Sequence, residues 1–304
     1  MLLISQREVG DLLDPGALID ALAPAMVDLS DGRASVPPRG FARAPGGLLG
    51  AMPGYAPSAR ALAAKLVTLF PGNTSLPTHQ AVIVAFDPDT GEPAALLDGT
   101  AITAIRTGAG SAVATRWLAR EDAKTLAILG TGVQARSHKD AVTRVRDFTD
   151  IRIAGRDRSK AEALAEELGA DTAESWQAAC DGADVVCACT HPHQPVVRRE
   201  WLEPGAHVNS VGWNPDGREI DDATVSDALV VVESREAVRE SPDIRHAAGL
   251  TEIGEVIAGR HPGRTSSDQI TLYKSVGVAV QDGVAAALVL EKARERGAGQ
   301  HMEL

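Results

Sequence analysis

The chain has 304 residues, 44% of them hydrophobic, 23% charged and 3% aromatic, with a formal net charge of −11. That length allows two domains and a core that needs no cross-links. The acidic balance argues against a phosphate-backbone partner, and the scarcity of aromatic rings against stacking on single-stranded nucleic acid.

Met1-Leu2-Leu3-Ile4-Ser5 runs straight into polar residues, without a basic and then long apolar leader. No apolar run is long enough to span a bilayer, so the expected setting is the cytoplasm, with no membrane partner. Ser5 and Glu8 have the spacing of a capping box. Asp14-Pro15 opens a second helix with proline at its first position, and Leu18, Ile19, Leu22 and Met26 give it an apolar stripe. Pro37, Pro38 and Arg39 form a loop.

Residues 61–70 and 79–86 read as strands. The turn Asp87-Pro88-Asp89-Thr90-Gly91 joins the second to another strand at 93–97. Thr100 is expected to cap a helix to about Leu118, whose many Ala and Gly residues permit close packing. From about Ala119 the pattern changes. Strands at 126–129, 151–154, 184–188, 207–211 and 229–232 alternate with helices, including one at 159–168, and an amphipathic helix at 279–296 ends the chain. The alternation predicts an α/β protein with a Rossmann-like doubly wound parallel sheet at 119–274 and a second α+β domain made of 1–118 with 275–304. Cys180, Cys187 and Cys189 form no CxxC pair or zinc-spaced cluster; no metal is expected, and an odd number of cysteines fits a reducing compartment.

Gly130-Thr131-Gly132-Val133-Gln134-Ala135 is a GxGxxA form of the dinucleotide fingerprint, placed after an apolar strand and at the start of a helix. The first glycine makes the tight turn, the second lets the backbone approach the pyrophosphate, and the small third residue lets helix pack on strand. The phosphates then sit over the positive end of the helix. The next strand ends in Gly155-Arg156-Asp157-Arg158-Ser159. An acid there would hold the ribose 2′-hydroxyl of NAD, and arginines the 2′-phosphate of NADP. Both are present, and Arg156 follows the strand directly, so NADP(H) is favoured with NAD(H) possible. Solvated loop charges are the alternative reading.

Lys65 lies in the apolar stretch Ala63-Ala64-Lys65-Leu66-Val67, and Arg106 in a helix of small residues. Burying either cation costs several kcal/mol without a counter-charge. Together with Arg39 they suit a clamp on a carboxylate, although a strand lysine also serves as an edge guard or snorkels to solvent.

These segments resemble a known family. Lys65-Leu66-Val67-Thr68-Leu69-Phe70, Pro77-Thr78-His79-Gln80-Ala81, Asp98-Gly99, Arg106-Thr107 and Ser111-Ala112 look like the ornithine cyclodeaminase/mu-crystallin family. The fingerprint with His138, the late Tyr273-Lys274-Ser275-Val276-Gly277 and Gln281-Asp282 follow in the same order. The resemblance implies NAD(P)-dependent enzymes, generally homodimers, in which the non-Rossmann domain binds substrate and mediates dimerisation. It implies that Arg39, Lys65 and Arg106 surround the substrate carboxylate and imine, with Thr78 and His79 lining the same cleft. It implies cofactor contacts at Thr107, Gly130, Thr131, Gly132, Val133, Gln134, Arg156, Asp157, Arg158, Thr190, Val211, Gly212, Lys274 and Ser275.

One departure bears on the reaction. The deaminases and the alanine dehydrogenase of the family carry an aspartate two residues after a glycine, where this chain has Gly212-Trp213-Asn214, with Asp216 near by. A neutral amide cannot act as the general base that activates water. Asn214 therefore points to reduction of a cyclic or N-alkyl ketimine bearing a carboxylate, such as pyrroline- or piperideine-2-carboxylate. Trp213 narrows the pocket if it points inward, and otherwise sits at a core edge. Ornithine cyclodeamination, alanine dehydrogenase-like deamination and a non-catalytic cofactor-binding role stay open as alternatives.

Overall fold

A computed structural model describes residues 1–214 and 216–303. In chain order the first part comprises β1 (Leu2–Ile4), α1 (Gln6–Leu12), α2 (Pro15–Ser30), β2 (Gly40–Ala44), β3 (Gly47–Ala56), β4 (Ala61–Leu69), β5 (His79–Phe86), β6 (Pro93–Asp98) and α3 (Gly99–Leu118). There follow β7 (Thr125–Leu129), α4 (Val133–Val142), β8 (Asp150–Ala154), α5 (Arg158–Leu168), β9 (Asp171–Thr172), α6 (Trp176–Cys180), β10 (Val185–Ala188) and β11 (His207–Ser210). The rest is α7 (Asp222–Asp227), β12 (Leu229–Val232), α8 (Ala237–Glu240), β13 (Thr251–Glu252), α9 (Ile253–Ile257), β14 (Thr271–Lys274), α10 (Ala279–Arg296) and β15 (Gln300–His301). No helix among the described residues is long and apolar enough to cross a membrane. The elements gather into two compact units, Met1–Arg106 with Gly277–Leu304, and Thr107–Val276, so the division falls inside the continuous helix α3.

The first unit is a seven-stranded sheet in the order β15-β1-β6-β5-β4-β3-β2, antiparallel from β2 to β6. The capping box of α1 is present, with Glu8 Oε2 accepting the Ser5 N–H at 2.9 Å. Asp14 caps α2, accepting the Ala17 N–H at 2.7 Å. Leu18, Ile19, Leu22 and Met26 are all buried along one side of α2, each contributing about 1.5–3 kcal/mol by leaving water. Helix α10 lies on β3, β4 and β5 and beside α2. The residues at that contact are small because the backbones approach closely: a Cβ on Gly54 would stand 2.8 Å from Ala279 Cβ.

Two expectations change here. The cap of α3 is Asp98, whose Oδ1 accepts the Ala101 N–H at 2.7 Å; Thr100 instead accepts the Ala81 N–H, at 3.2 Å. Strands β2 and β3 fill a stretch that showed no strand in the sequence, because Gly50, Pro53 and Gly54 interrupt the apolar alternation. Pro53 is tolerated opposite Ala64 on β4.

The second unit is an eight-stranded sheet in the order β13-β12-β14-β11-β10-β7-β8-β9, and every pairing is parallel. Strands β7 and β10 are buried on both faces, which is why they read as unbroken apolar runs. From β7 the chain winds outward through β8 and β9, then crosses back to β10 and winds the other way. That reversal between β7 and β10 is the switch point at which a doubly wound sheet opens a crevice beyond its strand ends. Strand β14 is inserted between β11 and β12; its sequence, Thr-Leu-Tyr-Lys, is too short and too mixed to show a period.

Candidate active site

In the first unit, alternation along β4 turns Lys65 to the face that carries Met52 and Ile83, its cross-strand neighbours. Its side chain is 3% exposed. The ammonium lies 2.8 Å from Asp282 Oδ2 in the first turn of α10. Arg106 Nε donates to the other carboxylate oxygen at 3.0 Å, and Nη1 to Gln281 Oε1 at 3.0 Å. Arg39 Nη2 donates to the carbonyl of Gly277 at 2.5 Å. Gly277 has φ +70°, and a Cβ there would lie 2.5 Å from Arg106 Nη1, so only glycine fits beside the guanidinium.

The three named buried groups, Lys65, Arg106 and Asp282, carry two positive charges and one negative. Burial pushes the Lys65 ammonium down to about 8; Asp282 opposes the shift, while Arg106 and Arg39 add to it. Burial would raise Asp282, but Lys65 and Arg106 outweigh it and hold the carboxyl below its ordinary value. The arrangement suits an anionic ligand next to a lysine that gives up its proton near physiological pH.

Thr78 and His79 are not part of this cluster. His79 pairs with Leu69, four residues along β4 from Lys65, which puts it about 13 Å away on the same face. Both residues are exposed, with Thr78 Oγ1 3.2 Å from His79 Nδ1.

In the second unit the glycine turn joins β7 to α4. Gly130 has φ +123°, and a Cβ would lie 2.5 Å from the Cys189 carbonyl oxygen, so the turn closes only around glycine. Gly132 is the N-cap of α4, has no side-chain cap, and has nothing within 4 Å of a built Cβ. The fold does not fill that space, and Val133 beside it is 60% exposed. A pyrophosphate fits such an opening, where the first amides of α4 lack side-chain partners. Thr131 packs against Gly155 at the end of β8, where a Cβ would meet its Cγ2 at 2.6 Å.

The carbonyl of Gln134 accepts from His138 Nδ1 at 2.7 Å, which fixes the tautomer, and Ser111 Oγ then donates to Nε2 at 2.8 Å. Burial holds His138 down to about 4, so it is neutral. Helix α3 meets α4 at Gly108, just after the buried Thr107; a Cβ on Gly108 would lie 2.4 Å from Ser137 Oγ.

At the end of β8, Asp157 caps α5, with the Lys160 N–H at 3.3 Å and the Ser159 hydroxyl at 2.8 Å on Oδ1. Arg158 donates to Glu162 one turn on, at 2.8 Å. Arg156 is exposed.

Beyond β10 and β11, the other expected cofactor residues are tied to each other. Thr190 donates to Glu219 through both its N–H and its hydroxyl, and Gly212 through its N–H. The Val211 N–H donates to the Ala188 carbonyl at 3.1 Å. Lys274 is fully buried, and Nζ reaches Ser210 Oγ at 3.0 Å, the Gly212 carbonyl at 2.6 Å and Asp243 Oδ2 at 2.9 Å. Those contacts occupy its three donors. Ser275 Oγ donates to Glu233 at 2.5 Å.

Asn214 is committed as well: Nδ2 donates to the Pro192 carbonyl at 2.9 Å, and Oδ1 accepts the Asp216 N–H at 3.0 Å in an Asx turn. Trp213 is 37% exposed and anchors its indole N–H on the Glu240 carbonyl at 3.1 Å, an edge position.

Residues 1–297 match the ornithine cyclodeaminase/mu-crystallin family. The chain belongs to this family. It is 43% identical to ketimine reductase mu-crystallin of Mus musculus over 253 residues, covering 81% of this chain and 80% of that protein. The solved Delta(1)-pyrroline-2-carboxylate reductase of Thermococcus litoralis, in complex with NADH and L-proline, superposes with a TM-score of 0.93 at 38% identity, covering 99% of this chain and 100% of that one. An archaeal alanine dehydrogenase dimer with bound NAD follows at a TM-score of 0.90 and 31% identity, covering 100% and 99%.

Within the family pattern, the sequence pointed to the cations and the glycine turn but assigned no role to Glu219, Asp243 or Glu233. A lysine inside the apolar stretch Leu272-Tyr273-Lys274 was the available signal, since such a charge demands a buried acid.

Proposed function

We propose that this protein reduces the C=N bond of a cyclic or N-alkyl imino acid carrying a carboxylate, of the pyrroline- or piperideine-2-carboxylate class, to the corresponding amino acid. The observation that carries the reading is the buried cluster of Lys65 and Arg106 around a single carboxylate, with one positive charge left over for an anionic substrate. The names of the mouse and Thermococcus relatives agree with it.

Arg106, held on its Nε and Nη1 side by Asp282 and Gln281, turns its remaining edge to the substrate carboxylate, and Arg39 supports it. Lys65 gives a proton to the imine nitrogen as the carbon beside it becomes tetrahedral. A bound nicotinamide dinucleotide supplies the hydride to that carbon. Asp282 holds Lys65 protonated and aimed. Asn214 cannot serve as a base, and its amide is already used within its loop, which leaves water activation for deamination without an acid at that position.

On this reading the unit Met1–Arg106 with Gly277–Leu304 binds substrate, and Thr107–Val276 binds the cofactor. NADP(H) is the favoured form, because Asp157 spends its carboxylate on the cap of α5 while Arg156 stands exposed at the end of β8. The test is oxidation of NADPH and NADH against a panel of cyclic and N-methyl imino acids, with ornithine plus NAD in parallel. NADPH consumption with a cyclic imine is expected, and Arg156→Ala should raise KM for NADPH about tenfold with little change for NADH. Proline and ammonia from ornithine, without imine reduction, would sink the reading.

A second copy of the chain is the proposed partner. Leu49, Leu66 and Val82 share the sheet face opposite to Lys65 and are 36–41% exposed. A dimer mass by sedimentation is expected, and a monomer at micromolar concentration would count against it.

A further inference from the structure

We propose that Glu219 is a positioning residue that sets the seat of the nicotinamide half of the dinucleotide by clamping the loops after β10 and β11 to one another. The proposal rests on the dinucleotide reading above. In a doubly wound sheet the ligand lies outside the carboxyl ends of the strands. The turn after β7 takes the pyrophosphate and the end of β8 the adenine ribose. The strand ends across the switch point, β10 and β11, are left for the other half of the cofactor.

The two loops there are joined by one carboxylate. Glu219 Oε1 accepts the Thr190 N–H at 2.7 Å and the Thr190 hydroxyl at 2.6 Å. Oε2 accepts the Gly212 N–H at 2.8 Å and the Ser210 hydroxyl at 2.7 Å. The loops touch as well: a Cβ on Gly212 would lie 2.3 Å from the Thr190 carbonyl oxygen and 2.4 Å from Glu219 Cδ.

Glu219 is 1% exposed, so it acts through the loops and not on a ligand. It is held from behind, because Asp243 Oδ1 accepts the N–H groups of Glu219 and Ile220 at 2.7 and 3.1 Å. Lys274 Nζ, 3.9 Å from Oε2, balances the charge while binding Ser210 Oγ and the Gly212 carbonyl.

Glutamine is a sharp probe of this grip. A carboxylate offers two accepting oxygens, each serving two donors here. An amide offers one oxygen and an NH2, which would face a backbone N–H of one loop. One loop is then released while the side chain keeps its volume.

The experiment is calorimetric binding of two ligands to the full chain: NADPH, and 2′-phospho-ADP-ribose, which lacks the nicotinamide. In Glu219→Gln the Kd for NADPH is expected to rise about tenfold, while that for the fragment stays within about twofold. Equal weakening of both ligands in a folded protein, or no change in either, would overturn the proposal. Should Glu219→Gln fail to fold, Ser210→Ala removes one donor from Oε2 at a buried position. It should raise the NADPH Kd about threefold and leave the fragment unchanged; an equal effect on both would again count against the clamp. Wild-type protein that binds neither ligand would remove the dinucleotide reading itself, a result separate from any effect of the variants.

Discussion

Asp282→Asn is expected to cost about 3–5 kcal/mol of stability, the usual penalty for breaking a buried pair and leaving its partner charged. The carboxylate is shared by Lys65 at 2.8 Å and Arg106 at 3.0 Å, and all three side chains are buried. An amide of nearly the same shape would leave both cations uncompensated. Lys65, already lowered to about 8, would fall further, since Asp282 is what pulls it up.

The loss should also depend on pH. Folded Lys65 holds its proton less tightly than the unfolded chain, whose lysines titrate near 10.5. Unfolding therefore takes up a proton between about pH 8 and 10.5, and this group's contribution to stability rises with pH through that window. In Asp282→Asn the window opens at a lower pH, so the deficit against wild type should narrow as pH rises towards about 8 and stay constant beyond it, where both folded forms have lost the proton. Urea titrations at pH 7 and pH 9 read this directly. A variant as stable as wild type at pH 7 would mean that the three groups share no buried charge.

The largest effect on turnover is expected at Lys65. Lys65→Met fills the same space without the ammonium, and Asp282 keeps Arg106 as partner, so the fold should survive. Loss of the proton donor should lower kcat by about 10²–10⁴-fold, the range for general acid–base catalysis, with NADPH affinity unchanged. In wild type, kcat/KM should fall as pH rises through about 8, where free-enzyme Lys65 loses its proton. That limb should be missing from the residual activity of the variant. A kcat within a few-fold of wild type would remove Lys65 from the chemistry.

The sequence displays the parts of the site that are local. The glycine turn is legible because strand, turn and helix are contiguous in the chain, and Gly130 has a steric reason that the motif displays. Lys65 and Arg106 stand out as charges in apolar surroundings. Their partner does not, because Asp282 looks like any acid in the first turn of a helix until α10 folds back against β4. Thr78 and His79 come from the resemblance alone; the register pairs His79 with Leu69, on the same face as Lys65 and four residues further along β4. The resemblance implies cofactor and substrate roles for Lys274 and Asn214. The structure spends their polar atoms on neighbouring loops, a use that depends on Pro192, Gly212 and Asp243 from separate segments. Strands β2 and β3 are not legible in the sequence because glycine and proline hide their period, although pairing of β2 to β3 and of β3 to β4 keeps them in the sheet.

The unit that holds the cations is built from two separate stretches, Met1–Arg106 and Gly277–Leu304, with Thr107–Val276 inserted between them. During synthesis Lys65 and Arg106 therefore leave the ribosome long before Asp282 exists. Neither cation can be buried at a tolerable cost until the final helix emerges to neutralise them. The nascent sheet must wait, with its two cations still hydrated, while the whole parallel sheet is translated. A chain that terminates early, short of Ala279, keeps every strand of the parallel sheet and both cations, yet cannot close the charge cluster. Burial of the charge cluster thus waits for the segment that carries residue 282.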